Sequence, residues 1–217
     1  MKKTDKDELG GSVTVPAGTG RAVYTDRRSE FIGFCTRIES EEEAKEKIEA
    51  VRKEHPAARH TCFAYRLRGG IVRRYSDDGE PQGSAGRPIL DVLDRKGVDS
   101  ALITVTRYFG GILLGTGGLV RAYSSAASSA LDDAGLARLV PFAKFSVSIA
   151  YPDWQRVSQI LRREGAVISE TVFGSDVTAT FSVRLTDAER ILAVIAEDTG
   201  GRCRTVPLGE EYLAEPV

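Results

Sequence analysis

The chain has 217 residues, of which 41% are hydrophobic and 28% charged, so it is an ordinary globular protein rather than a disordered or fibrous one. Its formal net charge is −1, so no global field draws it to a polyanion, and its three cysteines are too few and too scattered for a disulfide framework. MKKTDKDELGGSV lacks the apolar stretch of a secretory leader, and no run approaches the roughly 18 apolar residues of a membrane span; a cytoplasmic protein with no membrane partner is expected.

In chain order, residues 1–20 are polar and glycine-containing and read as a loose tail or a short edge strand. Glu30–Glu39 is rich in aromatic and β-branched residues and reads as a strand. Ser40 followed by Glu43 is a capping box, and Ala44, Ile48 and Val51 then share one helical face. Glu41/Lys45, Glu43/Lys47 and Glu49/Lys53 are spaced to pair on the solvent side of that helix. His60–Tyr75 reads as a β-hairpin turning at Gly69-Gly70, and a long loop, Ser76–Gly86, follows it. A helix over Pro88–Lys96 leads into a buried strand, Ala101–Val105. A glycine-rich loop holding Arg107-Tyr108-Phe109-Gly110-Gly111 and Gly115-Thr116-Gly117-Gly118 comes next, then an alanine- and serine-dense helix from Leu119 to Asp133.

The pattern changes near Pro141. Strand Phe142–Tyr151, helix Pro152–Glu164, strands Ala166–Thr171 and Val177–Leu185, a helix opened by a second capping box at Thr186/Glu189, and strand Arg202–Leu208 give the order βαββαβ, a ferredoxin-like arrangement. Two domains are expected, 1–138 and 139–217, carrying net charges of +2 and −3. The fold class is α+β.

Four groups of residues carry candidate chemistry. Gly110, Gly111, Gly117 and Gly118 lie between a buried strand and a helix, where backbone N–H groups attract anions, and Arg107 and Arg121 add charge. The spacing is neither a Walker A motif nor a dinucleotide fingerprint. On the hairpin, Arg59, Arg66, Arg68, Arg73 and Arg74 stand beside Phe63, Tyr65 and Tyr75, a basic and aromatic mixture suited to nucleic acid. Asp77, Asp78 and Glu80 form an acidic turn, good plain turn chemistry that is also able to hold a cation or to act in acid–base work. His55, His60 and Cys62 match no standard metal spacing, and no nucleophile signature surrounds Ser124, Ser125, Ser128 and Ser129. No cofactor and no metal are expected. Arg107 is the central polar residue, either an anion ligand or the ion-pair partner of Asp77, Asp78 or Glu80; Tyr108 lies beside it.

Gly86-Arg-Pro-Ile-Leu, Val105-Thr-Arg-Tyr-Phe-Gly-Gly-Ile-Leu-Leu-Gly115 and Gly117-Gly-Leu-Val-Arg-Ala-Tyr123 resemble the YigZ/IMPACT family. Phe31-Ile-Gly33, His60-Thr-Cys-Phe-Ala-Tyr65 and Ser76-Asp-Asp-Gly-Glu-Pro81 extend the resemblance across about residues 20–135; Thr104 stands where the family usually has an aliphatic residue. The resemblance implies an N-terminal domain similar to the ribosomal protein S5 domain 2-like fold, as in the fourth domain of elongation factor G. It also implies a ferredoxin-like second domain similar to that factor's fifth. Eukaryotic relatives regulate translation through a different appended domain, and that role is not expected to carry over. The S5-like fold also occurs in small-molecule kinases, whose phosphate loop Gly115-Thr-Gly-Gly118 resembles loosely. The expected function is a non-catalytic RNA- or ribosome-associated protein that influences translation. The alternatives are a phosphate-ligand enzyme on the same fold and an adaptor with a protein partner.

Overall fold

The computed structural model describes residues 13–67 and 69–217. They form two compact units, residues 13–139 with Ala214–Val217, and Val140–Leu213.

The first unit runs β1 (Val13–Pro16), β2 (Gly20–Asp26), β3 (Ser29–Arg37), α1 (Glu41–Glu54), β4 (His60–Leu67), β5 (Val72–Ser76), α2 (Gly86–Arg95), β6 (Ala101–Tyr108) and α3 (Gly115–Ala134). Its antiparallel sheet has the order β2-β3-β6-β4-β5. The apolar run in β6 follows from its central place, since helices cover both of its faces. Leu102 joins Ile38, Ala44, Ile48, Tyr65 and Leu67 beneath α1. Ile103 and Val105 join Phe31, Cys62, Ile89, Leu93, Tyr123 and Leu131 beneath α2 and α3. Thr104 and Thr106 are fully buried as well, and the Thr106 hydroxyl lies 3.3 Å from that of Thr61. The alanines of α3 let it lie directly on β3: a Cβ on Gly33 would sit 2.5 Å from the Ala126 carbonyl oxygen.

The Ser40 half of the capping box forms, while Glu43 reaches one residue beyond the cap. Ser40 Oγ accepts from the Glu43 N–H at 3.1 Å, and Glu43 Oε2 accepts from the Glu39 N–H at 2.7 Å. Of the three expected helix pairs only Glu43–Lys47 is made, at 3.3 Å. Glu41 instead accepts from the Tyr65 hydroxyl, and Glu49 pairs with Arg52.

Several boundaries differ from expectation. β2 has no signal in the sequence, because its turn into β3 is Arg27-Arg28, with φ of 43° and 67° and neither glycine nor asparagine. β6 continues to Tyr108, so Arg107 and Tyr108 lie in the strand and not in the loop. α3 begins at Gly115, so Gly117 and Gly118 form its first turn. The polar start of the chain lies outside the described residues up to residue 12; from Val13 it is strand β1.

The second unit continues through β7 (Leu136–Ile149), α4 (Tyr151–Arg163), β8 (Val167–Phe173), β9 (Val177–Arg184), α5 (Ala188–Asp198) and β10 (Arg204–Pro216). The strand order β10-β7-β9-β8 is that of a ferredoxin-like βαββαβ sheet. Phe145, Val147, Val157, Leu161, Phe181, Ile191 and Ile195 fill its core. β7 starts six residues earlier than expected because its first residues, Leu136–Leu139, belong to the first unit and pair there with β1. Thr186 caps nothing; Leu185–Asp187 is a 3-10 turn running into α5. Among the described residues no helix is long and apolar enough to cross a membrane.

Candidate functional site

Antiparallel pairing brings several segments to one end of the first unit's sheet. His60 lies opposite Arg107 and Glu30 opposite Tyr108. The Arg27-Arg28 turn, residues 55–60, the loop after β5 and the loop from Phe109 to Leu114 therefore meet there.

The acidic loop is bonded inward at each of its three carboxylates. Asp77 Oδ1 accepts from the N–H groups of Ala85 and Gly86 at 3.0 and 2.8 Å, and Oδ2 from Gly83 at 2.8 Å. It thereby caps α2, whose own N-cap residue, Ala85, has no side-chain acceptor. Asp78 accepts from the Thr61 N–H at 2.7 Å and from Arg52 at 3.0 Å. Its carbonyl lies 2.7 Å from His60 Nδ1; a carbonyl only accepts, so Nδ1 carries the hydrogen. Glu80 is buried, and its Oε1 accepts from Arg107 at 2.7 Å and from the Tyr123 hydroxyl at 2.8 Å.

Arg107 is 8% exposed. Its guanidinium carbon lies 5.4 Å from the ring centres of both Phe31 and Phe109. Burial above all, then neighbouring Cys62 and Glu80, pushes the Tyr123 hydroxyl far above the ordinary tyrosine range, which keeps it a donor. Burial likewise raises the Cys62 thiol to about 12, and its Sγ donates to the Asp77 carbonyl at 3.0 Å. Of the two roles open to Arg107 on sequence, the geometry is that of an ion pair, with Glu80 as the partner.

The hairpin arginines also have acidic neighbours. Arg66 lies 3.3 Å from Asp94 and 3.4 Å from Asp99, Arg73 is 3.7 Å from Asp94, and Arg74 is 3.6 Å from Glu41. Arg68 lies outside the described residues. Among the described residues Arg28, Arg59 and Arg121 are exposed and have no carboxylate partner, and Arg27 donates only to the Leu113 carbonyl, at 3.2 Å. Arg52, His55, Pro56, Ala58, Arg59, Thr61 and Asp78 line a shallow cleft of about 230 Å³. Beside it the Tyr108 hydroxyl lies 3.2 Å from His55 Nδ1.

The glycines divide by role. A Cβ on Gly110 would fall 2.0 Å from the Arg28 backbone, and the Gly110 N–H donates to Ser29 Oγ at 3.0 Å, so this glycine pins the loop to the Arg27-Arg28 turn. Gly111 has φ of 82° in open space; Gly117 is open on the helix; Gly118 packs against Leu114. No side chain caps α3, and no acid lies in its first turn. Between these glycines Phe109 is 55% exposed, Ile112 41% and Leu113 80%, and Val120 on α3 is also exposed. The sequence carries a signal for this patch, an Ile-Leu-Leu run directly after two glycines in a loop, that charge-based reasoning passes over. Among the described residues no group of three or more His, Cys, Asp or Glu is placed to hold a metal ion.

Residues 27–131 match the Impact N-terminal domain, and residues 147–202 match a domain of unknown function, DUF1949. The IMPACT family member YigZ of Escherichia coli K12 is 34% identical over 189 residues, spanning 81% of this chain and 93% of that protein. YvyE of Bacillus subtilis 168, also an IMPACT family member, is 32% identical over 176 residues, 81% of each chain. A solved structure titled as a hypothetical protein superposes with a TM-score of 0.59 at 32% identity, covering 90% of this chain and 96% of the other. With both domain models matched and these identities sustained over four fifths of its length, the chain belongs to the IMPACT family.

Proposed function

We propose that the protein is a cytoplasmic, non-catalytic RNA- or ribosome-associated factor that influences translation, and that it meets RNA with the loop end of its first sheet. The observation that carries this is the distribution of unpaired charge. Arg27, Arg28, Arg59 and Arg121 stand at that end without carboxylate partners among the described residues, whereas Arg66, Arg73 and Arg74 of the hairpin each have at least one. A guanidinium already matched to a carboxylate gains less from a phosphate than a free one does. The carboxylates that a phosphate-transfer site would use as base and metal ligand are Asp77, Asp78 and Glu80, and all three are bonded into the fold. That supports binding over catalysis.

The test is binding of labelled RNA, and co-sedimentation with ribosomes, over a range of salt. Each of Arg27, Arg28, Arg59 and Arg121 that touches a phosphate should lower the single-strand salt slope by about 0.7 when changed to Gln. Arg73→Gln and Arg74→Gln should leave the slope in place. Absence of binding at low salt overturns the proposal and moves the protein-adaptor role to first place.

A further inference from the structure

We infer that the loop from Phe109 to Leu114 is a seat for an unpaired nucleobase, so that the protein selects single-stranded over base-paired RNA. The inference rests on the RNA-binding function proposed above and adds the class of RNA.

Exposed apolar side chains gathered in one patch mark an interaction surface. Phe109, Ile112 and Leu113 occupy one short loop, and Val120 follows on the helix that the loop enters. The loop is fixed at both ends. Phe109 lies over the Arg107 guanidinium, which Glu80 holds in turn, and the next residue, Gly110, is pinned to the Arg28 backbone and to Ser29. At the far end Arg27 donates to the Leu113 carbonyl. The aromatic ring is therefore presented to solvent by a rigid mount, and a base stacking on it orders little that is not ordered already.

Charge complementarity names the occupant. Arg27 and Arg28 border the loop on one side and Arg121 lies one residue beyond Val120, all three without acidic partners among the described residues. Asp26 and Glu30 flank the arginine turn, so the local balance is positive by a narrow margin. Such a margin suits one or two phosphates next to a stacked base, not a long backbone track. A duplex offers phosphates but hides its base faces, and would leave Phe109, Ile112 and Leu113 against water; an unpaired nucleotide covers both the ring and its aliphatic neighbours.

The experiment titrates the full chain with a labelled, unstructured oligoadenylate and with a blunt RNA duplex of equal length, at several salt concentrations. The expected results are a clear preference for the single strand and a loss of about ten-fold in single-strand affinity for Phe109→Ala, the size of one lost base–aromatic stack. Phe109→Trp should restore the affinity, and the salt slope should not change in either variant. Should Phe109→Ala fail to fold, Leu113→Ser carries the same test from a more exposed position. Equal affinity for single strand and duplex, or RNA affinity unchanged by these variants, overturns the inference, leaves the RNA-binding function intact and assigns the patch to a protein partner. Absence of binding to either RNA at low salt overturns both.

Discussion

Two loops leave the same end of one sheet and divide their side chains in opposite ways. The loop over 77–85 carries three carboxylates, and each is turned inward onto backbone N–H groups, an arginine or a tyrosine. The loop over 109–114 carries three large apolar residues that face water. Ordinary partition would place the acids outside and the apolar residues inside. The inversion has a physical basis in each case. A buried carboxylate is tolerated when donors reach it, as Arg107 and the Tyr123 hydroxyl reach Glu80 Oε1. An apolar loop is tolerated when rigid neighbours hold it open, as Gly110 and Arg107 do. The first loop therefore contributes to folding, and the second leaves its apolar side chains exposed.

Variants can break that division. The largest effect belongs to Glu80→Ala, which strands the buried Arg107 charge; urea unfolding should show a loss of about 3–5 kcal/mol. Adding Arg107→Met should recover part of it, and a double-mutant cycle measures the coupling. A loss below about 1 kcal/mol would mean that the acidic loop does not hold the fold. Gly110→Ala forces a methyl group into the Arg28 backbone and should cost about 1–3 kcal/mol. By contrast Gly117→Ala, in open space on α3, should raise stability by about 0.5–1 kcal/mol through helix propensity. Asp77→Ala removes the cap of α2 and should cost about 1–2 kcal/mol, with faster amide exchange at Gly83, Ala85 and Gly86 as its signature. Phe109→Ala should change the unfolding free energy least, within about 0.5 kcal/mol. If it destabilises like a core residue, the second loop is structural and the contrast collapses.

What the sequence made legible was local. The Ser40/Glu43 cap, the buried run at Ala101–Val105 and the βαββαβ order each follow from residues near one another in the chain. What it hid was set by distant partners. Arg66, Arg73 and Arg74 read as free positive charge because Asp94 and Asp99 follow β5 by some twenty residues and Glu41 precedes β4 by as many. Asp77 reads as turn chemistry, yet its acceptors serve a helix eight residues on. Gly115–Gly118 reads as a loop because glycine disfavours helix, and the remainder of α3 carries those residues as a first turn. The apolar run alone ends the strand at Val105 and leaves Arg107 and Tyr108 to the loop; pairing with β3 and β4 extends it.

The Arg27-Arg28 turn sets a limit on how far this protein can be made more robust. Both residues hold a left-handed backbone that a β-carbon resists, at about 1 kcal/mol or more each. Asn-Gly at the same two positions would relax the turn, tighten the β2–β3 hairpin and raise the melting temperature. It would also delete two of the cations beside the exposed loop. Selection for thermal hardiness alone should drift toward that exchange, and selection for the working protein should resist it. A library randomised at 27 and 28, sorted once for heat resistance and once for RNA retention, should return two different dipeptides.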